Sequence, residues 1–135
     1  MPPIRIAAAI INNAHGQTLL VRKHGTTVFI QPGGKINPGE SPLNALRREL
    51  MEELNCIPLR PQFCGTFSAP AVNEPQQIVE AAVYRVQLEG TLSPAAEIAE
   101  IAWIDPTNPG PRPIAPLTLD HILPIARDPQ TTKTT

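Results

Sequence analysis

At 135 residues with a net charge of −1, the chain has the length of one packed domain. It is too nearly neutral to gather nucleic acid through a global basic field. Two cysteines at no metal-type spacing exclude a disulfide framework and a zinc site, no apolar run is long enough to cross a bilayer, and no secretory signal pattern opens the chain. These features predict a cytoplasmic protein in which Cys56 and Cys64 are small buried hydrophobes and any anionic ligand is held locally.

In chain order, Arg5 to Ile11 and Gln17 to Lys23 are apolar and β-prone, and Asn12 to Gly16 carry turn residues, which predicts a hairpin. Arg22 and Lys23 close the second strand, where they serve either solubility or an anionic ligand. His15 and His24 are expected to be exposed. Val28 to Pro32 reads as a short strand, with Gln31 kept extended by the proline after it, and runs into the glycine loop Gly33-Gly34-Lys35. Gly33, Gly34 and Gly39 allow backbone conformations and close approaches denied to other residues. Lys35 can face a phosphate or Glu40.

Ser41 is a good helix N-cap and Pro42 suits the first helical position. Leu43, Leu46, Leu50 and Leu54 recur at helical spacing and predict a stripe facing a sheet. Glu49, Glu52 and Glu53 stand at i, i+3, i+4 and share a neighbouring face, with Ala45 one turn back. Like charges there cost about 0.2–0.5 kcal/mol in an isolated helix, and a hard divalent cation with oxygen ligands would remove that cost. Glu40, just before the cap, complements the positive end of the helix dipole.

Beyond the helix, Ile57 to Gln62 reads as a proline-containing connector, Phe63 to Phe67 as a strand, and Ser68 to Gln76 as a loop. Ile78 to Leu88 is apolar on both faces, as a central strand covered on each side would be; its Glu80 lies at the wet end or lines a site, the wet end being preferred. Glu97 to Asp105 predicts another strand, with Trp103 in the core, and Pro106 to Pro116 an irregular connector that could wall a pocket. Leu117 to Ala126 predicts a closing helix with Leu119, Ile122, Leu123 and Ile125 inward, His121 outward, and Pro124 kinking or shortening it. Together these predict an α/β fold with one domain over residues 1–128 and a disordered polar tail over 129–135.

The segment from Gly34 to Cys56 resembles the Nudix box of the MutT-like hydrolases, G-x5-E-x7-R-E-U-x-E-E-x-G-U with U a bulky apolar residue. Gly34 is followed after five residues by Glu40 and after seven more by Arg48-Glu49-Leu50-Met51-Glu52-Glu53-Leu54-Asn55-Cys56. Every charged position matches. Asn55 replaces the family glycine, at a helix end where Asn is the next most tolerant residue of the left-handed conformation.

The resemblance implies an α/β/α sandwich with a mixed β-sheet and hydrolysis of a nucleoside diphosphate linked to a group X. It implies Mg2+ or Mn2+ held by Glu49, Glu52 and Glu53, with Glu52 and Glu53 catalytic, and Glu40 and Arg48 as bracing residues. An acidic residue ahead of the Trp-bearing strand acts in such enzymes as metal ligand or base. Glu97 is the best match and Glu100 its rival, with Glu80 or a box glutamate as further choices. Arg22, Lys23, Gly33, Gly34 and Lys35 are the candidates for substrate contact. A MutT-like nucleoside triphosphate pyrophosphatase is the expected type, an ADP-sugar or dinucleoside polyphosphate pyrophosphatase the alternative. A non-catalytic nucleotide sensor is the competing class, but such modules typically lose box carboxylates and none is lost here. The expected partner is a small nucleotide, with no nucleic acid or membrane; a homodimer is compatible.

Overall fold

The computed structural model describes residues 2–72 and 74–128; the predicted tail, 129–135, lies outside them. Seven strands and a helix come first: β1 (Ile4–Ile10), β2 (Thr18–Lys23), β3 (Phe29–Ile30), β4 (Gly33–Lys35), α1 (Pro42–Leu54), β5 (Ile57–Pro70), β6 (Ile78–Glu89) and β7 (Ile98–Ile104). A π-helical turn, Thr118–Ile122, then leads into a short α2, Leu123–Ala126. A four-stranded mixed sheet has the order β4-β1-β6-β5, with β1 and β6 parallel, and a smaller antiparallel sheet the order β3-β2-β7.

The mixed sheet is covered on both faces, as the α/β/α expectation requires. Strand β1 is the common plate. Ala7, Ala9 and Ile11 face α1 through Ala45, Leu46, Leu50 and Leu54. Ala8 and Ile10 face the other way, onto Leu117, Ile122 and Ala126. The small side chains of β1 let both layers approach closely, and all three of its alanines are at most 1% exposed. As predicted, β6 is central, and Trp103 packs against the α1-side core.

Several expectations change. The predicted hairpin opens almost at once. Its turn forms, with the Asn13 side-chain oxygen accepting from the backbone N–H groups of His15 and Gln17 at 2.9 and 3.0 Å. After the Asn12–Thr18 bridge the strands diverge into different sheets. Both edges of β1 are already taken by β4 and β6, so no edge remains for β2. The predicted connector, strand and loop after α1 are instead one strand, β5, from Ile57 to Pro70, interrupted by register shifts near Leu59 and Phe63. Its prolines are tolerated because β5 is an edge strand that bonds only on the β6 side.

At the C-terminal end, the Leu123 N–H donates to the Thr118 carbonyl five residues back, and this wider turn rotates the helix face. Leu119 is therefore 49% exposed rather than inward, and His121 stacks on Phe67 at 5.3 Å instead of standing free. Ile122 and Leu123 are buried as expected. Cys56 is buried, Cys64 only partly, and both are free thiols. Among the described residues no helix is long and apolar enough to cross a membrane.

Candidate active site

The site is built where β4 meets α1. Ser41 caps the helix, its hydroxyl accepting from the Asn44 N–H at 3.1 Å, and Pro42 occupies the first turn. Asn55 closes the helix at φ 58°, ψ 37°, in the left-handed conformation expected of the missing glycine. The last carbonyls of α1 would be orphaned, but the loop ahead of β7 satisfies them. The Ser93 and Ala95 N–H groups donate to the Leu54 and Glu53 carbonyls at 3.1 and 2.9 Å. That contact draws Glu97 toward the acidic face of the helix.

The two glycines of β4 make room in different ways. A Cβ on Gly33 would lie 2.1 Å from the Ala7 carbonyl oxygen, so only glycine lets β4 lie against β1. A Cβ on Gly34 would lie 2.4 Å from the Glu49 carboxyl carbon, so the absent side chain is the seat of that carboxylate. The Gly33 N–H donates to Glu53 Oε1 at 3.2 Å.

The three box carboxylates occupy three environments. Glu53 is only 2% exposed, and among the described residues its Oε2 has no hydrogen-bond partner. Burial, reinforced by the charge of Glu49, pushes its carboxyl up to about 8, although the Gly33 bond opposes the shift. Glu49 is also raised, chiefly by burial, although Arg48 donates to its Oε2 at 2.7 Å. Glu52 is more than half exposed and lies 3.6 Å from Arg48.

Arg48 braces the box as expected. Its Nε and Nη2 each donate to a Glu40 oxygen at 2.9 Å, and Nη2 also donates to the Lys35 carbonyl at 3.0 Å. The guanidinium, with help from the Asn37 N–H, holds the Glu40 carboxyl down at about 2. That interaction stabilises the fold above the ordinary carboxylate range and is lost as pH falls toward 2. Replacing Arg48 by alanine frees Glu49 and loosens the loop at Lys35. It is expected to weaken metal-dependent activity by about 10–100-fold, read as a rise in the metal concentration needed for half-maximal rate.

The remaining candidates separate. Lys23 lies 3.2 Å from Glu97, and both contribute to the field at Glu53. Arg22 is held by Glu100 at 2.9 Å and by the Thr26 carbonyl at 2.8 Å. Lys35 does not meet Glu40, which Arg48 occupies; its ammonium stands 3.9 Å from Glu74. Glu80 is at the wet end of β6, 3.9 Å from Arg5. A cavity of about 170 Å3 runs up to Gly33, Gly34, Lys23 and Lys35. The connector before the π-helical turn contributes Ala115 to its wall, as the sequence suggested. A second hollow, of about 320 Å3, lies between Arg5, Glu80, Phe63 and Tyr84; no box carboxylate lines either space, but only the first reaches Gly33 and Gly34, which touch Glu53 and Glu49.

The family model described as the NUDIX domain matches residues 2–124. The chain belongs to the Nudix family. Relatives of this Nudix protein carry the names of hydrolases that act on phosphoric anhydride bonds. The 8-oxo-dGTP diphosphatase of Haemophilus influenzae is 40% identical over 68 residues, 47% of this chain and 50% of that one. The RNA pyrophosphohydrolase of Proteus mirabilis is 49% identical over 45 residues, 33% of this chain and 26% of that one. The chain thus spans half or less of the length of these two relatives. The solution structure of the E. coli ORF135 protein superposes with a TM-score of 0.78 at 26% identity, over 100% of this chain and 96% of that one.

Nudix hydrolases generally need a divalent metal. Among the described residues no three His, Cys, Asp or Glu side chains form a ready-made cage. A Mg2+ site does not require one, because that ion takes one or two carboxylates and completes its shell with water and phosphate. The donors here fit it: carboxylate oxygens at one-turn spacing, one of them buried without a partner.

Sequence reading missed the buried pair Gln31 and Thr118, whose side chains hydrogen-bond to each other. The available signal was a polar residue in an otherwise apolar strand, directly ahead of the glycine loop.

Proposed function

We propose that this Nudix hydrolase is a nucleoside triphosphate pyrophosphatase that converts a triphosphate and water into a monophosphate and pyrophosphate. The observation that carries the reading is the buried Glu53 carboxylate, one oxygen of which has no partner among the described residues while the other accepts from Gly33, a residue that lines the cavity of about 170 Å3. Glu49, Glu52 and Glu53 would hold Mg2+ or Mn2+. Such an ion, when bound, neutralises phosphate charge and acidifies water. Lys23 and Lys35 face the phosphates, and the glycines let them approach the main chain. Glu97, fixed by its loop to the end of α1, accepts the proton of the attacking water. Water adds to phosphorus as the bond to the pyrophosphate oxygen breaks, and positioning with electrostatics supplies most of the rate. The name of the Haemophilus influenzae relative, an 8-oxo-dGTP diphosphatase, supports reading the substrate as a triphosphate, oxidised purines included.

A panel with Mg2+ tests this: triphosphates, oxidised triphosphates, ADP-ribose, dinucleoside polyphosphates and a 5′-triphosphorylated RNA. Pyrophosphate release from a free triphosphate, abolished by chelator, is the expected result. Preference for the RNA would instead move the chain toward the activity named for the Proteus mirabilis relative. In the same assay Glu97→Gln is expected to lower kcat by about 10²–10⁴-fold, and Glu100→Gln by far less. The reverse order would reassign the base.

A further inference from the structure

Gln31 is 6% exposed, yet it lines the cavity that ends at Gly33 and Gly34. Thr118 stands behind it, fully buried, and donates its hydroxyl proton to Gln31 Oε1. Gln31 Nε2, with two N–H donors, has no partner among the described residues. An unpaired buried amide is costly, and native structures keep one where something else completes it. Ile4, Ile6, Val28, Val79 and Leu117 form an aliphatic part of its wall, with Lys23, Lys35 and Glu74 elsewhere on it, and among the described residues no aromatic side chain lines the cavity. A flat heterocycle can therefore lie between apolar walls with one polar edge against Gln31.

We propose that Gln31, oriented by Thr118, reads the base of the nucleotide and selects one with a ring carbonyl over one with an amino group at that edge. This rests on the cavity being the nucleotide site. A carboxamide that recognises adenine uses both ends, accepting from the exocyclic amine and donating to a ring nitrogen. Here the Thr118 hydroxyl already engages one of the two lone pairs at the accepting end, whereas both N–H donors are unpaired. A carbonyl such as the 6-oxo group of guanine or hypoxanthine, or the 4-oxo group of uracil or thymine, needs only the donors that remain. Gln31 is thus a specificity residue that touches the base, and Thr118 a positioning residue.

The test is calorimetric binding of IMP and AMP, two purine monophosphates that differ only at the 6 position and the adjoining ring nitrogen. Wild type is expected to bind IMP about tenfold more tightly. Gln31→Met should abolish the preference by weakening IMP. Thr118→Val, which leaves Gln31 in place but frees its oxygen, should raise AMP affinity, whereas Thr118→Ser should behave as wild type. A gain of AMP binding is not something a merely weakened fold produces. Equal binding, a preference for AMP, no binding of either, or a preference that survives Gln31→Met would each overturn the proposal. Triphosphate turnover in the same preparations keeps the two readings apart. Its absence alongside an intact IMP preference would remove the triphosphate assignment and leave base reading standing.

Discussion

Glu53→Gln is expected to remove turnover and, in metal-free protein at neutral pH, to raise stability. Turnover should drop by at least roughly 10²–10³-fold, because a carboxylate proposed to hold the metal that stabilises charge at the reacting phosphate is lost. The stability gain follows from burial. In the fold the Glu53 carboxyl titrates at about 8, against an ordinary value of 4.5. Below the ordinary value both folded and unfolded chains are protonated, and burial carries no ionisation penalty. As pH rises the unfolded chain releases its proton first, so wild-type stability declines up to about 8 and then levels. Glutamine has no such slope, and its advantage at pH 8 should reach roughly 4 kcal/mol. Thermal melts in chelator at pH 5 and pH 8 read this directly as a gap that widens with pH. Mg2+ should then raise the melting temperature of wild type and leave the variant almost unmoved. A variant less stable than wild type at pH 8 would mean that Glu53 is already satisfied by the protein, which would defeat the assignment.

Gly33→Ala should produce the largest loss of stability of any glycine-to-alanine change in the chain. The new Cβ meets the Ala7 carbonyl oxygen at 2.1 Å and the Ala8 Cα at 2.9 Å, both backbone atoms, at φ +138°. Nothing flexible can move aside, so β4 must leave β1, at a cost of at least about 3 kcal/mol. The Gly33 N–H then leaves Glu53, and activity falls with the fold. Gly39→Ala is the control. Its φ is +80° but nothing lies within 4 Å of the added methyl, so it should cost only about 1–2 kcal/mol. Urea unfolding of the pair distinguishes a collision from ordinary backbone strain; equal losses would show that β4 can adjust.

Most of the box was legible because its physics is local. The Ser41 cap, the left-handed Asn55 and the Arg48–Glu40 pair all close within a few turns of chain, and each formed as read. What failed depends on partners far away in sequence. The turn at Asn12 to Gly16 gave the right bend, but whether its arms stay paired depends on which strands claim the edges of β1. In β5, prolines look like a connector until the strand is known to be an edge. At Leu119 a helical repeat was assumed, and the wider turn ending at Leu123 shifted the face. The Gln31–Thr118 bond joins residues 87 positions apart, and neither end carries a mark of the other. Glu97 was named in advance through the family resemblance, but the loop that brings it near α1 was not legible, because a loop that caps a helix end leaves no motif, only backbone N–H groups.

The alternating alanines of β1 have a consequence for motion. A helix of 13 residues such as α1 is marginal by itself in water. Here its apolar face and the C-terminal layer grip opposite sides of one strand, so neither layer can peel away without stripping the plate on which the other rests. The two cores are therefore expected to open together, so that the amides of α1 exchange only as slowly as those of the sheet. On that expectation the acidic face of α1 rides on the part of the molecule that opens least, and the loop tied to its end by Ser93 and Ala95 is held with it.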